Sequence, residues 1–274
     1  MNTGQEIRFN RIWRRKRALI VPFDHGAYAG VVKGLEDPLR LTERIARTGA
    51  DAVLVSPGTL RTIAPALNGM GVVLRIDGGF TSYAAAPTDY RTLLDPEDAV
   101  RLGADAAIVF TFVGTPDEAA SIQRLGTTAA RAQQWGLPLV AEVLAPGLLN
   151  NHFGTTMFAP PVAGSDPAEE TMHVCRIAAE AGADCIKTRY TGDVEQFRTV
   201  VQTCGVPVIV AGGPNLNGSD ENLLRLTHDC LRAGASGIVF GRNVWQHPRM
   251  EQLIHAMCAV VHDGESVSVA SKFL

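Results

Sequence analysis

Ala181-Gly182-Ala183-Asp184-Cys185-Ile186-Lys187-Thr188-Arg189 is the stretch that decides the fold. Glycine closes a helix, and a short apolar run follows. The phrase recurs as Thr48-Gly49-Ala50-Asp51, Leu102-Gly103-Ala104-Asp105 and Ala233-Gly234-Ala235-Ser236. Its four copies precede the second, fourth, sixth and eighth of eight apolar runs. These runs are Ala18–Phe23, Ala52–Val55, Val72–Ile76, Ala106–Phe112, Leu137–Leu144, Ala183–Lys187, Pro207–Ala211 and Gly237–Phe240. Each is apolar on both faces, as a parallel strand covered on both sides must be. A phrase returning at every second strand indicates repeated βα units closing into a barrel.

The intervening segments carry helical spacing. Leu39, Ile45 and Ala46 mark one helix, and Ala119, Ile122, Leu125 and Ala129 another. Val174, Ile177, Ala178 and Ala181 follow, then Val194, Phe197, Val200 and Val201, then Leu223, Leu226, Cys230 and Leu231. Asp37-Pro38, Asp95-Pro96 and Asp166-Pro167 place a cap residue before a proline at the first helical position. The expected architecture is a single (β/α)8 TIM barrel over residues 1–274. Residues 1–17 should cover the barrel floor, and 266–274 form a tail without helical pattern, either disordered or docked on a neighbouring subunit.

Composition narrows the function classes. The 274 residues are 46% hydrophobic, enough for one large core. The net charge of −3 argues against general nucleic-acid binding. The five cysteines include no CxxC pair and read as reduced thiols of a cytoplasmic protein. No run approaches the ~20 apolar residues of a membrane helix. No HxH or HxxxH pair and no glycine-rich nucleotide fingerprint occurs, so neither a metal nor a cofactor is expected.

In such a barrel the chemistry sits at the C-terminal strand ends. The first run ends in Asp24-His25-Gly26, the sixth in Lys187-Thr188-Arg189-Tyr190, the seventh in Gly212-Gly213-Pro214-Asn215 and the eighth in Gly241-Arg242-Asn243. An ammonium in a buried strand is costly unless paired or neutral. A neutral Lys187 can attack a ketone and form an imine. A lysine paired with Asp24 across the bore fits the same residues. Asp24 is the candidate proton carrier, with His25 beside it. Gly212, Gly213, Gly241 and Arg242 lie where barrels of this kind bind phosphate, although two ordinary turns would also use these glycines. Arg189, two residues beyond Lys187, is a candidate for an acceptor carboxylate or second phosphate, and for keeping Lys187 neutral by repulsion.

Ile20-Val21-Pro22-Phe23-Asp24-His25-Gly26 resembles the opening strand of the archaeal-type class I aldolases. Asp184 to Asp193 resembles their Schiff-base strand, and Ala211-Gly212-Gly213-Pro214 and Gly241 to Gln246 resemble their phosphate loops. The family includes fructose-bisphosphate aldolase, an aminodideoxyheptulosonate synthase and a thiolase acting on a phosphorylated dione. The resemblance implies Lys187 as imine former, Asp24 as general acid/base, and Gly213, Gly241 and Arg242 as phosphate ligands. The fifth strand departs from the family's pattern: Leu144 stands where a proton-donating tyrosine is common. His25 ranks first as its replacement, ahead of Glu142 and His152.

The expected function is a class I aldolase. It would join or cleave a phosphorylated ketose-type donor, such as dihydroxyacetone phosphate, and an aldehyde, with aspartate semialdehyde among the acceptors. A coenzyme A-dependent thiolase on the same lysine is one alternative. A phosphate-sugar isomerase or non-catalytic phosphate-binding barrel is the other. The expected partners are a phosphorylated small molecule and further copies of the chain in a homo-oligomer, with neither nucleic acid nor membrane.

Overall fold

The computed structural model describes residues 1–83, 89–153, 158, 166–213 and 219–274. Eight parallel strands close into a barrel: β1 Ala18–Pro22, β2 Ala52–Val55, β3 Gly71–Arg75, β4 Ala106–Thr111, β5 Leu139–Val143, β6 Cys185–Arg189, β7 Val208–Ala211 and β8 Gly237–Val239. β8 pairs with β1 through Ala18↔Gly237 and Ile20↔Val239, which completes the ring. All eight expected runs are strands, each within two residues of its expected bounds at either end. The fold is a (β/α)8 TIM barrel, and no helix among the described residues is long and apolar enough to cross a membrane.

The recurring phrase has a mechanical role. Gly103, Gly182 and Gly234 adopt φ of 87°, 108° and 103°, which residues with a Cβ resist. Gly49 does not, and is small for another reason: a Cβ there would press on Cys258 Sγ at 2.9 Å. The aspartates then tie β2, β4 and β6 each to the strand before it. Leu19 N–H donates to Asp51 Oδ2 (2.7 Å), Val72 N–H to Asp105 Oδ2 (3.1 Å) and Leu139 N–H to Asp184 Oδ2 (2.9 Å). These bonds satisfy backbone donors that the parallel ladder leaves open at the floor.

The helix Thr3–Ile12 lies across that floor. Arg11 pairs with Asp105 at 3.0 Å, and Gln5 Nε2 donates to Asp184 Oδ2 at 2.9 Å. Ile12 and Trp13 pack with Ile20, Leu54, Val73, Ile108, Val140, Ile209 and Val239, which fill the lower bore. A larger core lies between the strands and the outer helices. The tail, expected to have no helical pattern, holds a short helix of its own. Ser266 caps a short helix, Val267–Ala270, Ala270 is fully buried against the chain's own core, and Arg249 donates to the Leu274 carbonyl. One turn is too short to show a periodicity.

Candidate active site

The upper bore begins where the apolar layer ends. Phe110, Glu142 and Lys187 are register partners on β4, β5 and β6, so they stand side by side at one level. Adjacent parallel strands lie ~4.8 Å apart, which brings a glutamate and a lysine in register into direct contact. Lys187 Nζ is 2.7 Å from Glu142 Oε1, and both side chains are buried. The alternative pairing of Lys187 with Asp24 is not formed. Asp24 lies beyond the end of β1 and meets Arg75 instead, with Arg75 Nε donating to Asp24 Oδ2 at 3.0 Å.

Arg75 is the hub of the network. Its guanidinium also binds Glu142 and reaches Asp77 Oδ1 at 3.4 Å. Arg124 approaches Asp77 from the other side at 3.8 Å, and Phe110 N–H donates to Asp77 Oδ2 at 2.7 Å. Burial opposes the charge on Arg75, but Glu142, Asp24 and Asp77 raise its pKa well above the usual value. Burial also works against a charged Glu142; Lys187 and Arg75 nevertheless hold it well below the carboxylate range. Asp77 is pushed up to about 6, because burial outweighs the pull of Arg75 and Arg124.

Asp24 and His25 both line the cavity, because β1 ends before them and the chain turns into the short helix Gly26–Ala29. His25 Nδ1 is 3.6 Å from Asp24 Oδ1, and its ring meets the edge of Trp245 at 5.5 Å. Burial lowers the His25 pKa to about 4 against the opposing pull of Asp24. His152 is lowered to about 3 by burial, with Glu142 opposing. Both imidazoles are therefore neutral near pH 7. His152 also lines the cavity, its ring tilted against Phe110 at 5.6 Å. Tyr28, Phe80, Tyr90, Phe110 and Phe153 give the cavity an aromatic wall. Leu144, where a tyrosine was sought, is buried in the aromatic cluster behind that wall.

The glycine loops divide in role. Gly213 has φ +72°, and a Cβ there would collide with the Arg189 guanidinium. Its carbonyl accepts from Arg242 Nη2 at 3.4 Å. Arg189 and Arg242 thus converge on one backbone turn, and among the described residues neither has a carboxylate partner. Arg189 Nη1 is buried without a hydrogen bond, and burial and Arg242 lower its pKa. Two unneutralised guanidiniums side by side are an arrangement suited to binding an anion. Arg189, expected to face the acceptor and to repel a proton from Lys187, lies against Gly213 and beside Arg242. Gly241 sits below His25, where a Cβ would press on Pro22 O at 2.9 Å and His25 Cε1 at 3.1 Å. Gly212 is not a free anion ligand: its N–H donates to Val239 O at 3.3 Å, and it is glycine because Phe240 packs on it. Pro214 and Asn215 lie outside the described residues.

Arg75 and Glu142 carried the same signal in sequence as Lys187, a charge inside an apolar strand. Neither was read as part of a buried ion network. Tyr28 and the aromatic wall had no such signal, because loop aromatics do not announce which cavity they line.

Comparison with known proteins points to one family. Residues 18–247 match the model of the DeoC/LacD family aldolases. The 2-amino-3,7-dideoxy-D-threo-hept-6-ulosonate synthase of Halobacterium salinarum is 36% identical, over 98% of this chain and 96% of that protein. Synthase 1 of that name from Archaeoglobus fulgidus is 32% identical, over 94% and 91%. An archaeal fructose 1,6-bisphosphate aldolase structure superposes with a TM-score of 0.82 at 28% identity, over 96% of this chain and 100% of that one. Another, with its catalytic lysine covalently bound to the carbinolamine intermediate of the substrate, gives a TM-score of 0.80 at 28% identity, over 95% and 100%.

Proposed function

The chain belongs to the DeoC/LacD aldolase family and is a class I, Schiff-base-forming carbon–carbon lyase, and from that premise we propose that Lys187 is its imine-forming residue. The observation that carries this assignment is the buried Lys187 amine, 2.7 Å from Glu142 and open to the cavity. The proposed donor is a phosphorylated ketone such as dihydroxyacetone phosphate, its phosphate held by Arg189, Arg242 and the turns at Gly213 and Gly241. The acceptor is an aldehyde.

Lys187 attacks the ketone carbon, and the amine's proton leaves through Glu142, the group in contact with it. Glu142 is too weak a base to keep that proton and passes it to the oxyanion formed from the carbonyl, and a second proton, taken up from solvent, lets the resulting carbinolamine hydroxyl depart as water. The iminium then withdraws electrons from the neighbouring carbon, so a proton is lost there or a carbon–carbon bond breaks to give an enamine. Asp24, held by Arg75, takes the proton from the hydroxyl of the bond-breaking carbon. His25, a neutral imidazole between Asp24 and the anion site, relays protons to and from it. An electron sink on Lys187 accounts for the reaction with the chain's own residues.

Lys187→Met tests the assignment. Retro-aldol turnover of a ketose phosphate should fall on the order of 10⁴-fold or more, while binding of a phosphorylated ligand persists. Turnover within a few-fold of wild type would reject Lys187 as the imine former.

A further inference from the structure

Past His25, the rim at Gly213 and Gly241 suits a phosphate; the cavity on its other side does not. At the anion end, the guanidiniums of Arg189 and Arg242 stand without carboxylate partners beside Gly213. At the other end, the cations among the described lining residues are Arg75 and Lys187. Arg75 is committed to Asp24, Asp77 and Glu142, and Lys187 is held by Glu142 before it bonds to substrate. The rest of that wall is Tyr28, Phe80, Tyr90, Phe110 and Phe153, backed by Leu144. The stretches 84–88, 154–157, 159–165 and 214–218 contain no lysine, arginine or histidine. A phosphate dianion at this end would lose its water, find no free cation, and stand near Asp24, Asp77 and Glu142. Repulsion and desolvation both disfavour that.

We infer that the substrate this site builds or cleaves carries one phosphate, on the donor half, and that the acceptor half is an unphosphorylated aldehyde laid against the aromatic wall. The inference rests on the aldolase reading above and narrows it: a ketose 1-phosphate fits the cavity and a ketose 1,6-bisphosphate does not. The carboxylates and aromatic faces of this end leave room for an acceptor with hydroxyl or ammonium groups, which they can bind.

The test uses the intact protein and three probes: dihydroxyacetone phosphate, fructose 1-phosphate and fructose 1,6-bisphosphate. Retro-aldol kcat/KM is measured for the two ketoses, and imine trapping with borohydride is measured for all three. The expected result is a preference of roughly tenfold or more for the monophosphate, in cleavage or, where cleavage is slow, in trapping. A smaller preference, a reversed one, or silence of both ketoses while dihydroxyacetone phosphate is trapped overturns the inference and leaves the aldolase reading intact. Failure to trap dihydroxyacetone phosphate as well rejects the aldolase reading itself, and the inference with it.

Discussion

At the floor of the barrel, Asp51, Asp105 and Asp184 each accept a backbone N–H from the preceding strand; at the mouth, Asp24, Asp77 and Glu142 crowd around one guanidinium. All six are buried or nearly so, and residue type alone does not separate them. Their partners do. A backbone N–H is fixed in place and does not give up its proton, so the floor carboxylates hold geometry, and the side-chain partners of Asp105 (Arg11) and Asp51 (His262) lie away from the cavity lining. Side-chain cations can be displaced by substrate or can transfer protons, so the mouth carboxylates are free to take part in chemistry. Asp77 stands between the two kinds, bonded to Phe110 N–H and also to Arg75. Substitutions at the two ends should therefore fail differently: mouth variants in turnover, floor variants in stability.

The sharpest break between the ends is expected at Glu142. Glu142→Gln keeps the volume but removes the charge shared by Lys187 and Arg75. We expect kcat to fall by about 10²- to 10⁴-fold, with the protein still folded by circular dichroism. A variant with near wild-type kcat would place the proton path elsewhere. Asp184→Ala should do the reverse. It strips the acceptor from Leu139 N–H and Gln5, costing about 1–3 kcal/mol in a denaturant titration, with kcat of the folded fraction unchanged. A loss of kcat without a loss of stability would erase the distinction between the ends.

A smaller effect should appear in the pH dependence of stability. Burial holds the His25 pKa near 4, below its ordinary 6.5. Between these values the unfolded chain binds a proton that the folded chain refuses, so stability falls as pH drops through 6.5 towards 4. At about pH 5 this amounts to about 2 kcal/mol. Asp77, with its raised pKa, works in the opposite sense over much of that window, so the effect is read as a difference between variants. His25→Gln should lose less stability than wild type between about pH 7.5 and about pH 5. Parallel curves would show that His25 titrates normally.

The fold was legible because its signals are local. A glycine-closed helix followed by an apolar run requires no knowledge of distant residues, and four copies of the phrase at alternate strands gave the ring. Lys187, Asp24 and Arg242 were legible because charged groups at strand ends of this fold fall on one rim. What was not legible depends on register. Whether Lys187 meets Asp24 or Glu142 is set by strand stagger and barrel closure, which no single segment encodes. The position of Arg189 against Gly213 was not legible for a related reason: alternation gives its face, but not the direction in which a long side chain lies along the rim. The short helix within 266–274 was missed because it is a single turn.

The central claim is that Lys187 carries the substrate. It is tested most directly by adding dihydroxyacetone phosphate and borohydride to the wild-type protein and mapping the reduced adduct by peptide mass spectrometry. One adduct per chain, on Lys187 and missing from Lys187→Met, is the predicted result. An adduct on another lysine, or none at all, would contradict the account.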